Sequence, residues 1–323
     1  MDENCQEQID VKFIKWSKDA KKINNINKEE QEYLNLLGDI LREGDFRQTR
    51  NASCYSLFGK TIEFDLNSGF PILTTKKVFF RGVFEELLFF LRGDTNTKHL
   101  SEKGIKIWEP NTTREFLDSV NLKNYEEYDM GPLYGFNFLH FGAHYNGMNC
   151  DYSGKGFNQV EYCLDLIKKD PFSRRIIMTS FNPAQAKEGC LYPCHSLVLQ
   201  FYMEAGHKLS LSCYNRSQDI ICGFPFNCAS SALLVHLFCE VINNDPGFKG
   251  HKIVPGRLIM NLGDVHLYDA HYSLAIRQIL REPYAFPKLR IKKKLTTLTD
   301  FKFEDFELVG YDSYPAINAH MIA

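Results

Sequence analysis

The chain has 323 residues, of which 44% are hydrophobic and 24% charged, with a formal net charge of −2. This is the composition of a globular protein large enough for one big core or two modest ones, and it excludes general disorder. A charge so close to zero gives no global drive toward nucleic acid or membrane, so an anionic ligand would have to be held by a local basic cluster. No apolar run of transmembrane length stands out, and Met1-Asp2-Glu3-Asn4 lacks the basic and apolar stretches of a secretory signal, so a cytoplasmic or nuclear location is expected. In a reducing compartment the ten cysteines read as small core hydrophobes, or in one case a reactive thiolate. No pair has CxxC spacing, and no structural zinc is expected.

Residues 1–27 are rich in Lys, Asp, Glu, Asn and Gln, which predicts a mobile extension ahead of one catalytic domain over 28–323. From Glu29 to Arg42, Tyr33, Leu36, Leu37, Ile40 and Leu41 recur at helical spacing. Tyr55 to Leu66 alternates toward its end and reads as a strand, turned by Gly69-Phe70-Pro71, and a helix is predicted over Phe80 to Leu91. After a loop-rich middle, the spacing predicts a helix over Asn158–Lys168 and a strand over Arg174–Phe181. Strands follow over His195–Glu204 and Lys208–Tyr214, joined around Gly206. Phe226–Ile242 is a long apolar helix, Arg257–Leu262 a strand, and Tyr268–Arg281 a helix stopped by Pro283. Without regular βαβ alternation the fold class is α+β, a large mixed β-sheet flanked by helices.

The densest chemistry lies in Leu191-Tyr192-Pro193-Cys194-His195, Asn215-Arg216-Ser217-Gln218-Asp219 and Gly223-Phe224-Pro225-Phe226-Asn227. Together they hold a thiol fixed by a preceding proline, a guanidinium, a carboxylate and a carboxamide: a nucleophile, an anion clamp and a two-way hydrogen-bonding group. A nearby Arg216 would lower the pKa of Cys194. The Cys194-His195 pair also suggests a cysteine hydrolase, but adjacent side chains on a strand point to opposite faces. Glu86, with Val83, Leu87 and Phe90 as helical neighbours, is expected to be buried, either as a structural carboxylate or as an acid with a raised pKa. Asn227 suits a ligand contact and a helix N-cap equally. Neither a P-loop nor GxGxxG occurs, so phosphate would fall to arginines: Arg216, the pair Arg174 and Arg175, and Arg50. His266 and Tyr268 alternate with Asp264 and share a face. A metal there lacks a third ligand at plausible spacing, since His271 falls at a helix start.

From about Glu30 to Ala323 this constellation resembles the thymidylate synthase family, folate-dependent enzymes that methylate dUMP. The resemblance implies Cys194 as nucleophile toward C6 of the pyrimidine, with Glu86 and Tyr134 (in Gly131-Pro132-Leu133-Tyr134-Gly135) moving protons and His195 in the network behind the ring. Asn227 selects uracil over cytosine, because its carboxamide matches O4 and N3–H. Arg50, Arg174, Arg175, Arg216, Ser217, Asp219, His266 and Tyr268 bind dUMP, with Arg174 and Arg175 crossing to a partner's site in an obligate homodimer. Ile107, Trp108, Asp219, Gly223, Phe226 and the C-terminal Ala323 bind the co-substrate 5,10-methylenetetrahydrofolate, and no metal is involved. A pyrimidine hydroxymethylase on the same fold would share the early steps, and an RNA-binding relative would need no thiol.

The chain also departs from the family. The usual glycine-rich phosphate loop is Arg50-Asn51-Ala52-Ser53-Cys54, one residue shorter and stiffer, with Arg47 as an alternative donor. Asn215 stands for glutamine, Cys222 for leucine and Ser231 for tyrosine. The tail ends Met321-Ile322-Ala323, with Asn318 in place of lysine, which predicts slower closure or altered folate affinity.

Overall fold

The computed structural model of the chain describes residues 27–50 and 52–322. The predicted mobile extension therefore lies outside the described residues except for Asn27. That residue caps helix α1 (Lys28–Glu43), its side chain accepting from the Glu30 amide at 3.0 Å. Strands β1 (Asp45–Gln48) and β2 (Ser53–Asp65) follow, then α2 (Phe80–Leu91), α3 (Lys98–Ser101), α4 (Arg114–Ser119), α5 (Tyr134–His140) and α6 (Gln159–Lys169). The second half carries β3 (Ile177–Thr179), β4 (Val198–Glu204), β5 (Lys208–Asp219), α7 (Gly223–Asn244), β6 (Val254–Tyr268) and α8 (Tyr272–Ile279). A separate hairpin pairs β7 (Lys288–Ile291) with β8 (Phe306–Val309). The α+β expectation holds.

Six strands form one mixed sheet in the order β1-β2-β6-β5-β4-β3, antiparallel throughout except for the parallel β5–β6 pair. Its inner face presents Phe64, Phe201, Leu211, Leu258 and Met260 to the helices, all essentially inaccessible. Phe201 stacks on Phe238 of α7 at 4.8 Å, and Tyr33 of α1 stacks on Phe224 at 5.1 Å. With 22 residues, α7 is long and apolar enough to cross a membrane by composition, contrary to the first reading of the sequence. Here most of that helix is buried, which makes it the core helix of this fold. The opposite sheet face is open: Ile177, Tyr202 and Tyr214 are exposed there, and a polar row runs from Thr61 to Asn261 to Ser212.

Several boundaries differ from the sequence reading, and the differences shape the site. Arg174 and Arg175 lie in a turn, because β3 pairs with β4 over only three residues, so the strand expected from Arg174 is shorter. β4 starts at Val198, leaving Cys194 and His195 in the loop before it. β5 continues to Asp219 and β6 to Tyr268, five and six residues past the expected ends, because each supplies the other's hydrogen bonds through Ser217–Asp264 and Asp219–His266. A Cβ at Gly263 would meet the Arg216 carbonyl at 2.8 Å, so the glycine serves a close strand approach. α8 begins at Tyr272, after a single 3-10 turn over Asp269–His271.

Candidate active site

The extended ends of β5 and β6, the first turn of α7 and the loop before β4 meet at one end of the sheet. Arg216 ties that loop down, its Nε donating to the Pro193 carbonyl at 2.8 Å and an Nη to the Tyr192 carbonyl at 3.1 Å. The Ser217 amide donates to the Cys194 carbonyl at 3.3 Å. Ser196 follows in a left-handed conformation at φ 52°, and its amide donates to Asn215 Oδ1 at 2.8 Å. The nucleophile candidate is therefore held by backbone contacts on both sides.

Tyr134 joins the loop to the helical layer. The Cys194 amide donates to its phenol oxygen at 3.1 Å, which leaves the phenol proton for the Cys194 sulfur at 3.6 Å. The ring is sandwiched between His195 at 4.5 Å and Phe90 at 4.9 Å, both near parallel. Tyr134 itself has φ 28°, backbone strain maintained by this packing. Burial dominates the titration here. It raises the Cys194 thiol above its ordinary pKa; the Tyr134 hydroxyl and, as expected, Arg216 pull it down without offsetting the burial. Burial also drives His195 down to about 4, which keeps its imidazole neutral, and raises Tyr134 well above the normal phenol range.

Glu86 on α2 is 6% exposed, and its pKa is raised to about 7 by burial, opposed by the hydrogen bond that Trp108 Nε1 donates to Oε1 at 2.9 Å. Neighbouring Glu85 instead pairs with Lys103 at 2.6 Å. Trp108 also packs on Tyr134 at 5.8 Å, so Glu86, Trp108, Tyr134 and Cys194 form one contiguous group. Ile107 is partly buried and packs against the main core.

Asn227 is 8% exposed and sits inside α7, whose N-cap is Cys222, so the N-cap alternative is removed. Its Nδ2 donates to Gln218 Oε1 at 3.2 Å, and Asn215 Nδ2 donates to the same oxygen at 2.7 Å. Gln218 lies inside the quoted block, but local spacing gave no reason to single it out. It orients the Asn227 carboxamide and links it through Asn215 to Ser196. Asp219 Oδ1 accepts from the amides of Ile221 and Cys222 at 2.8 and 2.9 Å. A Cβ at Gly223 would meet Gln218 Nε2 at 2.9 Å, so a larger residue there would displace the Gln218 carboxamide. Phe226 packs partly buried against the core.

His266 and Tyr268 close the end of β6 with their rings edge to face at 5.0 Å. Asp264 receives His266 Nδ1 at 3.2 Å and Arg47 at 2.8 Å. Arg47 thus reaches the β6 end of the site, whereas Arg50 lies exposed beside Asn51, which is outside the described residues. Arg174 and Arg175 are exposed ahead of β3, and no ion pair involves them among the described residues. Ala323 lies outside the described residues; the tail before it approaches the site through the His320 carbonyl, which accepts from His271 Nε2 at 2.9 Å.

A mixed sheet whose strand ends hold a fixed cysteine, a buried carboxyl group titrating near neutrality and an oriented carboxamide defines the class: an α+β protein with the groups for covalent thiol chemistry. The chain belongs to the thymidylate synthase family, whose profile, described as Thymidylate synthase, matches residues 31–323. It is 45% identical over 293 residues to the thymidylate synthase of Homo sapiens, covering 90% of each chain. It is 43% identical over 306 residues to that of Saccharomyces cerevisiae, covering 91% of this chain and 97% of the yeast protein. The bifunctional dihydrofolate reductase-thymidylate synthase of Paramecium tetraurelia is 45% identical over 294 residues, 91% of this chain and 61% of that protein. The chain therefore spans little more than half of the length of such bifunctional relatives.

Proposed function

We propose that this chain is a thymidylate synthase, converting dUMP to dTMP with 5,10-methylenetetrahydrofolate as co-substrate. The observation that carries the reading is the contiguous group of Cys194, Tyr134, Trp108 and Glu86, with a buried carboxyl group poised near pH 7. Cys194 adds to C6 of the uracil ring as the thiolate, its proton already released, and the negative charge passes from sulfur to O4. Asn227, oriented by Gln218, donates to that oxygen, and Glu86 exchanges a proton with the ring through water. The phenol of Tyr134 remains protonated and holds the sulfur in line for attack and for its later departure. His195, neutral and stacked on Tyr134, fixes that ring from behind.

The folate supplies, when bound, both the one-carbon unit and the hydride. The residues present fit it: Trp108 and Ile107 offer an apolar wall, and Asp219 keeps Oδ2 while its Oδ1 is anchored on two amides. Arg216 spends two of its five N–H donors on loop carbonyls and keeps the others for the phosphate, which the remaining arginines share.

The open sheet face with Ile177, Tyr202 and Tyr214 supports pairing with a second copy, which brings its Arg174 and Arg175 to this site. Mixing Cys194→Ala and Arg175→Ala chains tests that arrangement, since only a shared site regains activity in the mixed dimer. The reaction itself is tested with 5-fluoro-dUMP and methylenetetrahydrofolate. The expected result is a ternary adduct on Cys194 by mass spectrometry, and an unmodified Cys194 overturns the mechanism. Incubation with dUMP is expected to give dTMP, and a hydroxymethylated product would show water in place of hydride.

A further inference from the structure

We propose that Asp219, Cys222 and His271 form a binding site for a thiophilic divalent cation of the zinc type, roofed by the C-terminal tail. Sequence spacing offers only two of these donors near one another; the third is 49 positions further on. Tertiary structure supplies it. Asp219 ends β5, Cys222 precedes α7 and His271 closes the 3-10 turn after β6, and the parallel Asp219–His266 pairing brings the three segments together. One donor atom from each residue lies within 4.8 Å of the other two. Tetrahedral zinc ligands stand roughly 3.3–3.8 Å apart, within reach of small side-chain rotations.

A second observation points the same way. His271 is 2% exposed, and its Nε2 donates to the His320 carbonyl, so Nδ1 is a lone-pair nitrogen; it is buried and has no hydrogen-bond partner. Asp219 is preset by the two amides on Oδ1, the kind of outer support that metal-binding carboxylates receive. The same His320 carbonyl lies 3.9 Å from the Cys222 sulfur, so the tail touches two of the three donor residues. A thiolate and a carboxylate balance the charge of the cation. The facing cationic group is Lys76, whose ammonium is held on the Ile221 carbonyl at 2.5 Å and which weakens the site below a structural zinc centre. Loading is therefore reversible. Cys222 is this chain's own departure from the family leucine.

A consequence rests on the proposed function: a cation on Asp219 and the folate exclude one another. The probe is Co2+, added to the full chain carrying Cys194→Ser so that the reactive thiol cannot contribute. A thiolate-to-metal charge-transfer band at one equivalent is expected, abolished by Cys222→Leu, which restores a residue that the fold accommodates, and by His271→Gln. Zn2+ competing for the same site should bind Cys222→Leu at least tenfold more weakly. A band undiminished in Cys222→Leu, or absent from Cys194→Ser, overturns the site. With Cys194 intact, methylenetetrahydrofolate and 5-fluoro-dUMP together should expel Co2+. Retention of the metal despite formation of the adduct would refute the exclusion while leaving the cation site standing.

Discussion

Replacing Glu86 by glutamine should separate stability from activity, with opposite signs. Glu86 titrates at about 7 in the folded chain against 4.5 for an ordinary glutamate, and burial is the cause. Between those values the unfolded chain has released the proton and the folded chain keeps it, so the folded state binds more protons and stability falls as pH rises. The full displacement is worth about 3 kcal/mol, and about 2.5 kcal/mol of it falls between pH 5 and pH 8. Glutamine never ionises and its Oε1 still accepts from Trp108 Nε1, so Glu86→Gln should gain about 2.5 kcal/mol on the wild type across that interval. Urea denaturation of both proteins at pH 5, 6, 7 and 8 measures it. Turnover should meanwhile drop by roughly 10² to 10⁴ as proton transfer to the ring is lost. A stability difference independent of pH would refute the buried, near-neutral carboxyl group and the proton role built on it.

Tyr134→Phe keeps the stack with Phe90 and His195 but removes the hydroxyl from the Cys194 amide and sulfur. kcat should fall by roughly tenfold to a hundredfold and iodoacetamide labelling of Cys194 should slow, while the stranded Cys194 amide costs about 1–3 kcal/mol in urea unfolding. Gln218→Leu frees the Asn227 carboxamide to rotate, so the preference for dUMP over dCMP in kcat/KM should narrow by about tenfold. Unchanged discrimination would show that Gln218 does not position Asn227. Glu30 is inaccessible and accepts from the amides and hydroxyls of both Thr74 and Thr75, so Glu30→Ala strands four buried donors. A loss of about 3–5 kcal/mol in urea unfolding is expected, without a specific effect on KM in whatever remains folded.

Much of this site was legible because its chemistry is locally encoded. Proline before Cys194, the guanidinium and carboxylate after it and the carboxamide in the next block are read directly from residue order. The apolar neighbours of Glu86 at helical spacing were enough to predict burial, because a helix places residues three and four apart on one side. The element centres of α1, α2 and α6 followed from short-range spacing, and that of α7 from a long apolar run. The ends did not. β5 and β6 run past Tyr214 and Leu262 because each satisfies the other's backbone groups, a condition that neither segment contains alone.

Residue order by itself thus determined the family and which side chains are candidates for the chemistry, since these depend on side-chain type and short-range periodicity. Only the tertiary structure decided which groups meet. Trp108 on Glu86, Tyr134 between Phe90 and His195, Gln218 behind Asn227 and His271 beside Asp219 and Cys222 are all contacts between separate segments or across a strand–helix turn. Burial, which raises Cys194 by more than Arg216 lowers it, is a sum over such neighbours. Desolvation depends on everything packed around an atom, and no local run of sequence carries that information.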